Sequence, residues 1–390
     1  MLGENQRQSY SWKILAKALS IETGDTQNNL LNGALDRQNV EAIEALTRQK
    51  SLSVLKELKG KRKFNLIRDF GYVVPYLVGL EFTGLQEVKR TPLLVRFFAP
   101  IRNIILCSYG ADRLRFWTRN GSADSFLLWT ATMFGQIFGN PGNFNNGLRL
   151  AASWGASGYY KNIERSLEES DSAPKYSLLK RLIKVSNEFI LEEGVGSNNS
   201  EVTPEEYRHM IVCLLLEVMT SFHILIGISF ANMWKPILEN EGGLESFIEK
   251  LKGSNTDEVI NHVLSRNSTT AMLYRVARVP FPEFGIKSGD YVCFRIREAS
   301  RHVQNKDEWL NFGPHEKCPY SLLATGERRY SEETSEKALH PCFGQFWART
   351  VLKTMFLTLV EEIPEIKPTK NNVKELGIPE ILMVTTKRKT

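Results

Sequence analysis

A mainly helical, single-domain protein with small β-sheets is the fold class this sequence predicts, on three observations. Apolar residues recur at helical spacing in several segments longer than strands usually run. Strand-like patterning gathers in one stretch after residue 270. No Gly/Ser-rich or Pro-rich linker and no internal repeat divides the chain, so residues 1–390 are expected to form one domain.

In chain order, Asn39–Gly60 carries apolar residues at helical intervals and stops at a glycine. Asn65–Gly84 is apolar-rich and broken at Pro75, where the chain is expected to enter a helix. Leu93–Gly139 is rich in Phe, Leu, Ile and Trp, with breaks near Gly110 and Gly121. Residues 146–192 read as further helices split by Glu169–Lys175, and Gly194–Glu201 is a polar loop. A helix start follows. Thr203 is the cap, Pro204 suits the first helical position, and Glu206 stands three residues after the cap. The helix runs on through Glu217, Thr220 and His223. Its stretch Ile211–Trp234 is long enough to cross a bilayer, but Glu217 and His223 within it favour a core helix of a large soluble domain. Met272–Arg278 and Asp290–Ile296 favour strands joined by the turn-like Phe281–Asp290. Residues 306–338 are loop-rich. From Phe346 to Ile363 the apolar residues again recur at helical spacing, immediately after a Cys-Phe-Gly turn.

Composition narrows the function classes. Hydrophobic residues at 42% and charged residues at 24% exclude a wholly disordered chain. The net charge of +6 is mild, and no Lys/Arg run longer than the one beginning at Lys61 marks a nucleic-acid footprint. Five scattered cysteines, Cys107, Cys213, Cys293, Cys318 and Cys342, are not a disulfide framework and point to a reducing cytoplasm. The polar amino terminus carries neither a signal-peptide core nor a membrane anchor. Phosphate-cradling loops, dinucleotide fingerprints and nucleophile elbows are absent, so kinase, dehydrogenase and hydrolase readings lack support.

One constellation carries chemistry. Cys342 stands in a turn leading directly into a long apolar helix. A thiolate near a helix amino terminus is stabilised by the helix dipole and by unpaired backbone N–H groups, and it can ligate a metal centre. Two other readings apply to these residues. Cys342 could be a structural core cysteine, or His315, Cys318, His340 and Cys342 could form a zinc site, although the one-residue spacing of the second pair is unusual for zinc.

The residues around Cys342 resemble the ligand loop of the cytochrome P-450 family, particularly its soluble bacterial-type members. His340 stands two residues before the cysteine, Gly344 two after, and Ala348-Arg349 six and seven after. The resemblance extends to RDFGYVVPYLVGLEFTGL, to VTPEEYRHMIVCLLLEVMTS and to LYRVARVPFPEFGIKSGDYVCFRIREASR. It implies a haem-thiolate oxidoreductase holding haem b (iron protoporphyrin IX), with Cys342 as the metal ligand. It also implies that Arg275 and His340 hold propionates and that Gly344 belongs to the cofactor loop. Thr220 and Glu217 would line the distal side, a small hydrophobic molecule would be the substrate, and an acidic ferredoxin- or flavodoxin-type protein would donate electrons. Arg349 and Lys353 are candidates for a basic docking face, or else are solvated charges.

This sequence departs from the family pattern at several places. Ser335 and Ala338 stand where the ligand loop has Phe and Gly. His262 and Ser265 occupy the Glu-x-x-Arg positions, with Arg266 adjacent. Met219 replaces the acid before Thr220, and Glu217 replaces a usual glycine. A His-x-x-x-Arg propionate clamp would fall near Gly24 and Asn28 and is absent, and the family's amino-terminal sheet region is expected to be missing. Without an acid beside Thr220, a reaction driven by peroxide or hydroperoxide survives better than reductive oxygen activation. Glu217 shares a face with Thr220 and Ser221 and is either a replacement acid or a hydrogen-bonding partner of a neighbouring helix. A non-catalytic relative with weak or no haem binding, serving as a pathway partner, is the alternative.

Overall fold

A computed structural model describes residues 37–59, 63–85, 163–173, 177–184, 204–240, 242–253, 255–266, 269, 273–296, 298–299, 345–364, 366–372 and 381–385. Helix α1 spans Arg37–Lys59. It buries Ile43, Thr47, Ser51, Val54, Leu55 and Leu58, a three-and-four spacing that makes one continuous face. Lys56 and Lys59 close its last turn, where cations complement the helix dipole.

Strand β1 (Lys63–Asn65) leads into a π turn, Ile67–Gly71, and then into α2, Val73–Thr83. The entry is fixed by a reciprocal pair of caps. The Asn65 side-chain oxygen accepts the backbone N–H groups of Ile67 and Arg68, while the backbone N–H of Asn65 donates to the Asp69 carboxylate. Asp69 is buried, and its charge is met by Arg68 at 2.8 Å. Helix α2 ends at Gly84, whose φ of 79° suits glycine. There the N–H groups of Gly84 and Leu85 return to Glu81 and Leu80, which satisfies the last carbonyls.

Short helical segments at 163–168 and 178–184 precede the long central helix. That helix has three parts: α3 (Pro204–Thr220), a π turn (Ser221–Leu225) and α4 (Ile226–Glu239). Pro204 opens it, as its fixed φ predicts. Among the described residues, Ile211–Glu239 is long and apolar enough to cross a membrane, yet 65% of its most apolar window is buried against the rest of the protein. Helices α5 (Gly243–Lys252) and α6 (Thr256–Arg266) follow. The hairpin β2–β3 (Leu273–Val276, Tyr291–Phe294) and α7 (Gln345–Glu362) come next. Strands β4 (Lys367–Asn372) and β5 (Ile381–Thr385) complete the described chain.

Helices α1, α2, α3–α4 and α7 pack into one apolar core. Phe356 of α7 sits near its centre, 4.7 Å from Phe230, 5.6 Å from Trp234 and 5.2 Å from Phe247 between ring centroids. Such aromatic contacts each add about 1 kcal/mol beyond area burial. The Arg48–Glu361 and Lys59–Glu362 pairs between α1 and α7 are solvent-exposed and contribute little beside it. Among the described residues there are two small antiparallel sheets: β1–β5–β4, with a register shift between Pro368 and Lys370, and β2–β3.

The fold class read from the sequence agrees with this architecture. Three features lay beyond that reading. The two π turns have no sequence signal in their own right. Strand β1 is only three residues long, and β4 is too polar to read as a strand (KPTKNN) and is held by pairing with β5.

Candidate functional site

The candidate site is organised by the middle of the long helix. Met219, Phe222 and His223 all face α2. A Cβ added to Gly79 would lie 2.9 Å from the Phe222 Cβ and 3.0 Å from the Met219 Sδ. Phe222 stacks on Phe82 at 5.0 Å, and His223 meets Tyr76 edge-on at 5.1 Å. At about 100° per residue, Glu217 and Ser221 then fall on the opposite face of the helix, with Thr220 on the flank between. Thr220 is buried, at 5% exposure, and Ser221 is half-buried. Glu217 lies one turn before Thr220 on α3; its side chain is outside the described residues.

The π turn begins immediately after Thr220. It widens the helix by one residue and breaks the regular ladder, a distortion often found at functional sites. His223 occupies this turn, fully buried between Tyr72 and Tyr76. Burial lowers its pKa from 6.5 to about 3, so the imidazole is neutral. The Tyr72 phenol is pushed upward by the same desolvation and stays protonated.

The first turns of α7 are pinned to the same place. Trp347 packs against Phe82 at 4.9 Å and against Phe222 at 6.4 Å. The helix that follows Cys342 by three residues is therefore clasped to the long helix two residues past Thr220. Neither Trp347 nor Phe222 stood out in the sequence.

The remaining candidates are dispersed. His340, Cys342 and Gly344 lie outside the described residues, as do His315 and Cys318 of the zinc reading and the positions near Gly24 and Asn28. Arg275 sits on β2 opposite Val292 and is exposed. Met219 is a core side chain packed against α2. His262 and Ser265 are both buried on α6, and the Ser265 hydroxyl donates to the His262 carbonyl of its own helix at 2.7 Å. The Glu-x-x-Arg positions thus carry no carboxylate–guanidinium pair. Arg349 and Lys353 do not form an open basic face. The Arg349 Nε and Nη2 atoms are buried, and Lys353 lies 3.5 Å from Asp257.

Comparison with solved structures identifies the arrangement. P450BioI, solved with an acyl carrier protein bearing hexadec-9Z-enoic acid, superposes with a TM-score of 0.61 at 16% identity, over 96% of this chain and 84% of that one. The fold is that of a cytochrome P450. CYP109E1 from Bacillus megaterium, solved with testosterone, also gives 0.61 at 16% identity, over 92% of this chain and 79% of that one. The ligand-free cytochrome P450 TbtJ1 gives 0.60 at 16% identity, over 97% of this chain and 86% of that one. No protein-family model matches the sequence, and no curated protein matches it. At such identities the likeness is one of fold.

Proposed function

We propose that this protein is a haem-thiolate oxidoreductase of the cytochrome P450 type, acting on a small hydrophobic substrate. One observation supports it most: the Trp347–Phe222 clasp ties the helix after Cys342 to the long helix beside Thr220. Those are the two chain segments such chemistry requires on either side of a porphyrin.

Two described side chains suit that cofactor in their chemistry: Thr220 has a buried hydroxyl on the flank of the long helix, and Arg275 is a cation suited to a propionate. In this reading Cys342 supplies the thiolate, favoured by its place just before the amino terminus of α7. His340 would pair with the second propionate, and Gly344 would let the loop backbone approach the ring. Haem would supply one-electron and oxygen chemistry when bound. Thr220 would hold a proton near the distal face, and Glu217, one turn away, would deliver it. Met219 cannot substitute for the acid, because its thioether carries no proton to give, and it packs against Gly79 in the core. Turnover with a peroxide or hydroperoxide therefore needs less of the chain than turnover with a reductase. An acidic electron donor and a cytoplasmic setting accompany this reading.

A second reading has its own support. His262 and Ser265 replace the pair that braces the ligand loop in the family, and the Ser265 hydroxyl donates within its own helix. That favours a non-catalytic relative acting as a pathway partner. Reduction of the purified protein under carbon monoxide separates the two. A carbonyl-haem band of the thiolate type supports the enzyme, and a colourless protein supports the partner.

A further inference from the structure

The interface between α2 and the long helix carries a π turn on each side. The first, Ile67–Gly71, is capped by Tyr72, and the second, Ser221–Leu225, begins directly after Thr220. A Cβ added to Gly71 would lie 2.5 Å from the Phe230 Cδ1, and one added to Gly227 would lie 2.6 Å from the Tyr72 Cδ1. The insertions are reciprocal: each side offers a glycine notch and fills the other's notch with a ring. Neither glycine has a positive φ, so lack of space is what excludes a side chain there.

The buried Tyr72 ring bridges the second π turn. It meets His223 edge-on inside the turn, 6.1 Å between centroids, and covers Gly227 two residues beyond the turn. Phe230, also buried, packs on Phe70 of the first turn at 5.7 Å. On the other side of the extra residue, Met219 and Phe222 abut Gly79. The end of α3 and the start of α4 are thus both fastened to α2 and the turn that precedes it. A π turn holds one residue more than a regular helical turn, and its poorer geometry needs packing on both sides to hold it. Relaxation to a regular helix would rotate α3 by about 100° against α4 and carry Thr220 with it.

We infer that Tyr72 and Phe230, seated on Gly227 and Gly71, are positioning residues that set the direction of the Thr220 hydroxyl. The inference rests on the haem-thiolate reading, in which that hydroxyl lines the distal side. Its test is the C–O stretch of the reduced protein under carbon monoxide, which responds to dipoles beside the bound gas. Thr220→Val removes the hydroxyl and is expected to move the stretch. Gly227→Ala is expected to move it as well. The Y72L/G227A variant keeps the combined side-chain volume nearly constant and is expected to return it toward the native value. Phe230→Leu adds no atom and is expected to move the stretch too, a second readout should Gly227→Ala fail to fold. On the purified protein, the amides of residues 221–226 in Gly227→Ala are expected to exchange about tenfold faster, with those of α5 at the native rate. A stretch that follows Thr220→Val but ignores Gly227→Ala and Phe230→Leu overturns the inference and leaves the haem reading standing. So does a double variant no nearer the native value than Gly227→Ala, or exchange that rises equally in α5. A stretch that ignores Thr220→Val overturns the inference too, and a protein without carbonyl haem overturns the haem reading with it.

Discussion

Gly79 and Phe222 meet so closely that a side chain on the glycine would place its Cβ 2.9 Å from the phenylalanine Cβ. The contact brings α2 against the long helix two residues beyond Thr220, and Trp347 stacks against the same phenylalanine. Helix propensity alone would favour alanine at position 79 by about 1 kcal/mol. The Phe222 Cβ is fixed to its backbone and cannot swing aside, so overpacking of about 1–3 kcal/mol opposes that gain. Gly79→Ala is expected to lower the urea midpoint. A raised midpoint would show that the helices can separate without cost.

Acid stability depends on His223. Its folded pKa of about 3 lies below the usual 6.5, so the native state excludes a proton that the unfolded chain takes up. Stability from this group is full above pH 6.5 and falls as pH drops toward 3, by at most about 1.4 kcal/mol per pH unit. His223→Phe keeps an aromatic ring between Tyr72 and Tyr76 and removes the titration. Its stability between pH 4 and 6.5, read by denaturant unfolding, is expected to fall less steeply than that of the native protein. Parallel pH profiles would contradict the assignment.

Much of the fold was legible because its signals are local. Pro204 announces its helix by fixing φ, Gly84 ends another by accepting a positive φ, and the apolar spacing of α1 and α7 gives their buried faces. The site was legible in part. Thr220 and Glu217 share a face by helical arithmetic, whereas the π turn after them reflects packing of His223 between two tyrosines far away in sequence. The Trp347–Phe222 clasp was hidden for the same reason: neither residue carries a local signal, and only the tertiary fold makes them neighbours. Strand β4, polar throughout, carries no local signal, since its pairing comes from β5.

Ser265 tests how the fold lives without its Glu-x-x-Arg pair. Its hydroxyl donates to the carbonyl of His262, a bond that replaces no inter-element contact. Ser265→Ala is expected to cost about 1 kcal/mol or less. A loss of several kcal/mol, read from chemical denaturation, would mean that this serine braces another part of the chain.

Proton delivery is tested at Glu217. Glu217→Gln is expected to lower reductase-supported turnover by about a hundredfold while leaving peroxide-supported turnover within a factor of about two. Equal losses in both assays would assign Glu217 to structure.

The most direct measurement is the carbon monoxide spectrum of the reduced protein, recorded beside that of Cys342→Ala. A thiolate-type carbonyl band in the native protein, gone from the variant, is the expected result. A native protein without bound haem, or a band that survives the loss of Cys342, would contradict the account.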